Sequence, residues 1–556
     1  MNRKKNDTTL TTRGKFIIGL IFIPTIIYWL ITSGQPLIDN YAFRQAQTAI
    51  TADYLFENGV NLFNYQTPVL GKPWAIPFEF PTYQALVKII STATSQPLSQ
   101  VGRITNSASI LLSALVCISI LSHNRVKQLY IIIFSLLLAT SQTYLYYGRS
   151  FLIDGTALLF TLAAAFYYSQ LRTFWTQEAV DTSKQVSLFP LGKISLFSIF
   201  LILGMLTKAT SSLPLICFIA IDQIYLTSKL LFAKAHFLKA TKNGLFFGII
   251  SLSAVFLTKS WVNHADNLKQ LNPNAHFILS KNLTSWNFGS LSDRIQPESW
   301  SFLLGTIGTK ELNFGIFPSM VIFFAFILAN ILWILNKNST TRESAYICNF
   351  GFFMYIAGPL IFFNLYFVHE YYATANLIFG YLSLAASLNA IGNYMERKNL
   401  LKVMKLFAIF MTGLICTIQL YSFSSRYLAP SIARTNNALK IATYIKNNSN
   451  SHDRLLTVRC DDWSSQLFYL SGLKGLAVRN LSPEKRQSLK TEVKKMINNQ
   501  TQSIFIIEDT EVLEKKSLSY LPTINKQSCN VIYKAGNYNA YKCSLEPFKI
   551  PTVAYQ

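Results

Sequence analysis

The stretch Phe16-Ile-Ile-Gly-Leu-Ile-Phe-Ile-Pro-Thr-Ile-Ile-Tyr-Trp-Leu-Ile-Thr32 carries no charged side chain along its whole length. It approaches the roughly 20 residues that a helix needs to cross the hydrocarbon of a bilayer. Arg3, Lys4, Lys5, Arg13 and Lys15 stand before it. This order resembles a secretory signal, but no small-residue cleavage site follows and further apolar runs do. The stretch therefore reads as a first membrane span that starts from the cytoplasmic side.

Working outward, further apolar runs lie at 111–121, 129–138, 195–206, 245–257, 314–335 and 406–420. Hydrophobic residues make up 51% of the chain and are clustered in such runs, which separates it from a globular protein with a dispersed core. Lys and Arg outnumber Asp and Glu by 50 to 26. The excess sits mostly in short loops on alternate sides of the runs, the positive-inside pattern, so nucleic acid is not an expected partner. The same loop charges place the N-terminus inside the cytoplasmic membrane and the C-terminus outside.

These features predict a polytopic α-helical membrane protein of about eleven transmembrane helices with a small extracytoplasmic α/β domain at the C-terminus. Residues 1–15 form the cytoplasmic N-terminus and 16–424 the membrane domain. Within it, 33–103 is a first outer loop with interfacial helices near 41–56 and 82–90, and 259–311 is a long outer loop. From 425 to 556 polar sequence is broken by short β-type runs at 455–458, 503–507 and 530–533, with helical stretches at 434–446 and 483–497. Of seven cysteines, Cys117, Cys217, Cys348 and Cys416 sit in apolar runs as small hydrophobes. Cys529 and Cys543 flank the turn sequence Ala535-Gly-Asn-Tyr538, which predicts a cross-strand disulfide in an oxidising compartment.

Charge is costly in hydrocarbon, so its position matters. Asp39, Arg44, Glu79, Arg149, Asp154, Lys208, His369 and Glu370 all fall at outer span ends or in the first outer loop. Secondary transporters place their sites near the midplane, often within inverted repeats, and neither feature is evident. Cations and carboxylates on the outer side suit chemistry on an anionic lipid headgroup, where cations hold phosphate and a carboxylate takes a proton from an incoming hydroxyl or amine. The plain alternative is a set of ordinary interfacial charges. Tyr371 and Tyr372 read as an aromatic-belt pair, and Asp461, Asp462 and Trp463 as an acidic helix start or a sugar contact.

Short motifs then follow in order. Asp39-Asn-Tyr-Ala-Phe-Arg-Gln-Ala-Gln-Thr-Ala49, Glu57-Asn-Gly59 and Phe78-Glu-Phe-Pro81 resemble the first outer loop of the GT-C glycosyltransferases, the family that includes dolichyl-phosphate-mannose protein mannosyltransferases and the bacterial lipid A aminoarabinose transferase. Gly148-Arg-Ser-Phe-Leu-Ile-Asp154 resembles the outer turn between the third and fourth spans, Leu206-Thr-Lys-Ala209 a Leu-Thr-Lys-Gly element, and His369-Glu-Tyr-Tyr372 a His-Asp-Tyr-Tyr element. The resemblance covers about 16–392.

It implies an enzyme that transfers a sugar from a polyprenyl-phosphate donor to a glycan, lipid or protein acceptor, among membrane lipids. Asp39 is implied as catalytic base or acceptor-positioning group, with Glu79 in the same cavity. Lys208 is implied as the contact to the carrier phosphate, with Arg149 and Asp154 behind it. Relatives often carry Asp two residues before the Arg and three after it, where this chain has Ala42 and Gln47. Asp39 is then the nearest carboxylate to Arg44. Arg44, His369 and Tyr372 complete the expected substrate-binding set, and a divalent metal joined by Asp39 and Glu79 is an open expectation. The alternatives are a lipid-linked sugar transporter or other non-catalytic lipid handler, and a structural membrane subunit with an outer interaction domain.

Overall fold

Helices close their backbone hydrogen bonds internally, which a hydrocarbon solvent requires. The computed structural model describes residues 10–57, 59–178, 190–232, 237–308, 317–335, 339–430, 436–460, 462–478, 483–498, 500–509 and 529–544. Among these, seven helices are long and apolar enough to cross a membrane: Thr12–Thr32, Leu98–His123, Leu191–Lys229, Thr241–Gln270, Phe317–Leu335, Ser344–Ile361 and Leu401–Leu428. Gln128–Thr140 is apolar but shorter. Asp154–Glu178 and Leu377–Arg397 reach spanning length with a more polar composition.

The first helix shows how sequence sets packing. The Thr11 hydroxyl accepts from the Gly14 N–H at 3.0 Å and caps its start. Ile18, Phe22, Thr25 and Trp29 recur at helical spacing and are buried. Thr25 donates to the Ala139 carbonyl and Trp29 Nε1 to the Leu145 carbonyl, at 3.0 and 3.1 Å. The opposite face, with Leu20, Ile23, Ile27 and Ile31, is exposed and apolar, as suits contact with lipid.

The helix Leu191–Phe232 has 42 residues. As one straight rod it would be about 63 Å long, roughly twice the hydrocarbon thickness. Its backbone leaves helical geometry at Lys208, with φ −162° and ψ 96°. A Cβ on Gly204 would lie 2.6 Å from Ser212 Oγ, so residues on either side of Lys208 touch. The element is a hairpin with Lys208 at its tip, which agrees with the span end expected there.

The residues divide between two compact units. One contains Met1–Gly34, Arg103–Trp261 and Asn282–Ile432; the other contains Gln35–Gly102, Val262–Lys281 and Ala433–Gln556. Each draws on separated stretches, where composition alone places a boundary at 424/425. The expected end of the long outer loop, at 311, lies outside the described residues. Its expected start at 259 is helical, because Phe237–Gln270 runs on without interruption.

The second unit is built on five strands: β1 (Arg454–Val458), β2 (Lys474–Val478), β3 (Ser503–Asp509), β4 (Cys529–Ala535) and β5 (Tyr538–Ser544). Their order is β2-β1-β3-β5-β4. The first three are parallel, and β5 runs antiparallel to β3 and β4. Parallel strands covered on both faces are apolar throughout, and β1 is buried at every residue. Leu455, Phe505 and Ile507 pack on one face, and Leu456, Val458, Ile504 and Ile506 on the other. The free edge of β2 is closed by residues 68–71: Gly475 N–H donates to the Pro68 carbonyl and Ala477 N–H to the Val69 carbonyl, at 3.0 and 2.8 Å.

The expected β-runs and helices of this region are present, and the helices are Asn437–Asn447 and Pro483–Met496. Cys529 and Cys543 face each other across β4 and β5 and form the expected disulfide. Sequence reading missed β2, whose run Lys474–Val478 is interrupted by Gly475, whereas β5 is the second run of the hairpin expected around Ala535-Gly-Asn-Tyr538. The two first-loop helices are Ala42–Tyr54 and Thr82–Thr94. Ala42–Tyr54 does not present a bare amphipathic face, since Gln45 through Ala52 are all buried.

Candidate functional site: two charged constellations

In the helical unit, the turn from Gly148 to Asp154 is held by one helix. Arg103, Asn106 and Ser107 lie on Leu98–His123 at three- and four-residue spacing, so they share a face. Asn106 is fully buried. Its Nδ2 donates to the carbonyls of Tyr147, Gly148 and Ser150 at 2.7, 3.2 and 3.0 Å, and its Oδ1 accepts from Gly155 N–H at 3.1 Å. Ser107 also donates to the Gly148 carbonyl, and Arg103 to that of Arg149. Gly148 is required, because a Cβ there would meet the Tyr144 carbonyl at 2.3 Å and the Trp29 ring at 2.6 Å.

This turn delivers two side chains. Arg149 is buried, donates from Nε to the Tyr28 hydroxyl at 3.0 Å, and lies 5.0 Å over the Tyr146 ring. Asp154 opens the helix Asp154–Glu178, where the N-terminal dipole favours a carboxylate. It pairs with Lys208 Nζ at 2.5 Å, and the two side chains are 1% and 3% exposed. Asp154 Oδ2 has no partner among the described residues, nor do the buried hydroxyls of Thr207, Thr210 and Ser211 beside the hairpin tip. The Lys208 ammonium sits 4.0 Å over the Tyr372 ring and 5.1 Å over that of Tyr371.

The pair Tyr371 and Tyr372 is thus turned onto a buried cation rather than forming a lipid-facing belt. Glu370, next in sequence, pairs with Arg426 and accepts from Tyr147 Oη at 2.6 Å and Tyr427 Oη at 3.2 Å. His369 lies among the rings of Trp286, Tyr371 and Tyr372. Arg103, Asn106, Tyr147 and Arg426 belong to this constellation and were not singled out from sequence. Only the three- and four-residue polar spacing inside an apolar helix signals Arg103 and Asn106. Nothing local signals Arg426.

In the second unit Asp39 is buried and its carbonyl accepts from Ala42 N–H at 3.0 Å, starting the helix Ala42–Tyr54. Arg44 pairs with Glu79 and donates to Gln47 Oε1 at 2.5 Å. Tyr65 holds the Glu79 backbone, donating to its carbonyl at 2.7 Å and accepting from Phe78 N–H at 2.5 Å. Burial and the nearby Glu79 carboxylate push the Tyr65 phenol far above its ordinary value, so it stays a donor. Trp463 stacks on Phe78 and meets the edges of Phe43 and Phe277. Asp461 lies outside the described residues.

A divalent cation does not fit the residues expected to hold it. Glu79 is engaged by the Arg44 guanidinium, and among the described residues no three His, Cys, Asp or Glu side chains come together. The carboxylates Glu79, Asp154 and Glu370 are held here by ion pairs.

No family model matches the sequence, and no curated protein does. Solved structures do match in fold. ArnT from Cupriavidus metallidurans with undecaprenyl phosphate bound superposes with a TM-score of 0.56 at 11% identity, over 96% of this chain and 98% of that one. Its apo form gives 0.55 with the same coverage and identity. The Archaeoglobus fulgidus oligosaccharyltransferase gives 0.52 at 10% identity, over 90% of this chain and 70% of that one. The chain has the fold of the GT-C glycosyltransferases.

Proposed function

We propose that this protein is a membrane glycosyltransferase that moves a hexosyl or pentosyl group from a polyprenyl-phosphate carrier to a glycan, lipid or protein acceptor on the outer face of the cytoplasmic membrane. In this reading the chain crosses about eleven times, with its N-terminus inside and residues 425–556 outside. The observation that carries it is Lys208, a buried ammonium at a hairpin tip beside three hydroxyls that have no partner among the described residues, and flanked by Asp154. Buried donors without acceptors are costly, and phosphate oxygens would satisfy them. The bound undecaprenyl phosphate of the structurally similar ArnT is a ligand of this class.

The acceptor hydroxyl or amine attacks the anomeric carbon as the bond from that carbon to the phosphate oxygen breaks, with inversion. Asp39 takes the acceptor's proton, and polyprenyl phosphate leaves with the bonding electron pair. Lys208 and Arg149 stabilise the charge that develops on the leaving group. Glu79, locked to Arg44, orients the acceptor side. The support for these roles is the burial and pairing of each group in its own unit.

Mass spectrometry of envelope lipids, glycans and glycoproteins from cells with and without the gene tests the reading. The expected result is the loss of one sugar from one class of molecule. Identical profiles would remove it.

A further inference from the structure

In the helical unit, Phe317–Leu335 and Leu401–Phe423 flank Leu377–Arg397 and leave a cavity of about 530 Å³ between them. Its floor is buried, with Leu388, Ile391, Ala408 and Ile415, and its lining is apolar apart from Thr412. Its walls are not buried: Phe324, Leu328, Val403 and Phe407 are 59%, 42%, 64% and 56% exposed. This is an open apolar groove on the surface of the helical unit, with room for hydrocarbon.

One end of the groove is Leu400, in the turn joining two of its helices. That turn and the helix ends on either side of it carry Arg397, Lys398, Lys402 and Lys405, all exposed. The carboxylate there, Glu396, pairs with Lys127 at 2.7 Å and feels Lys405 electrostatically. The cations therefore outnumber the acid where the apolar trough ends. Leu401–Phe423 then runs 23 residues, about 34 Å, toward Arg426 at its far end. The carrier phosphate proposed at Lys208, whose ammonium lies over Tyr371 and Tyr372 next to the Glu370–Arg426 pair, is thus in a different place from this cationic rim.

We infer that the groove is a binding site for an anionic glycerophospholipid, its acyl chains in the trough and its headgroup phosphate on Lys402, Lys405 and their neighbours. Charge complementarity selects the headgroup and the apolar lining selects the tails. The inference needs only that the chain lies in a bilayer, and it stands whether or not the protein transfers sugar.

The test uses the full-length protein in detergent, titrated with phosphatidylglycerol and with phosphatidylcholine of the same acyl chains. Binding is followed by native mass spectrometry and by the lipid-dependent rise in Tm. Phosphatidylglycerol should bind tighter, and K402Q with K405Q should weaken it by roughly thirtyfold while leaving phosphatidylcholine unchanged. Ala325→Phe, which fills the trough from the wall, should weaken both lipids. Equal affinity for the two headgroups overturns the proposal. So does full binding to Ala325→Phe, which would leave only a basic loop, and so does displacement of phosphatidylglycerol by equimolar undecaprenyl phosphate, which would make the groove a carrier site. If Ala325→Phe fails to fold, the lysine pair and the competition decide alone.

Discussion

Replacing Lys208 by Met tests at once how the hairpin tip is stabilised and what it binds. Lys208 and Asp154 are 3% and 1% exposed and paired at 2.5 Å, so removing the ammonium strands a carboxylate whose second oxygen already lacks a partner among the described residues. Breaking a buried pair from one side costs about 3–5 kcal/mol. Asp154→Asn should cost less, about 1–3 kcal/mol, because the ammonium keeps the Tyr372 ring at 4.0 Å and the amide remains polar. The double variant K208M with D154N buries no unpaired charge and should recover most of the Lys208→Met loss. The double variant should therefore be more stable than the sum of the two single losses predicts. The assays are unfolding of the purified protein in detergent and binding of undecaprenyl phosphate to each variant. Stability should return in the double variant while carrier binding stays lost. A double variant no more stable than Lys208→Met would refute the buried-pair argument, and one that binds carrier like the wild type would refute the phosphate role.

Four further outcomes are expected. Asp39→Asn should bind carrier lipid nearly normally yet lose roughly two to four orders of magnitude in turnover, as removal of a general base does; near-normal turnover with Glu79→Gln inactive would reassign the base. Asn106→Leu deletes three donated bonds and one accepted bond at the Gly148 turn and should cost about 2–4 kcal/mol, with carrier affinity falling in step; unchanged stability would show that the turn holds itself. Converting Cys529 and Cys543 to Ser opens a loop of sequence separation 14 and should lower stability of the sheet-bearing unit by about 3 kcal/mol, and in the untreated protein neither thiol should alkylate without reductant. A reporter fused after Gln556 should be active only outside the cytoplasm, and a cytoplasmic signal would reverse the orientation.

The membrane class of the chain was legible because hydrocarbon imposes a one-dimensional rule: a charge-free run of helical spanning length has few other uses. The run at 16–32 and most of its successors became helices with only their ends displaced. The tip at Lys208, the turn at Gly148–Asp154 and the 529–543 disulfide were readable for the same kind of reason, since a polar break in an apolar run and two cysteines around a Gly-Asn turn are local signals. Partnership was not readable. That Asn106 knots four backbone groups, that Arg426 locks Glu370, that Arg44 occupies Glu79 and removes it from a metal set, and that residues 68–71 seal the edge of β2 all depend on contacts across tens to hundreds of residues. Burial decides such contacts, and a buried charge or backbone group takes whichever partner the packed chain brings to it. Composition places those groups at helix ends; only the tertiary structure chooses which of them meet.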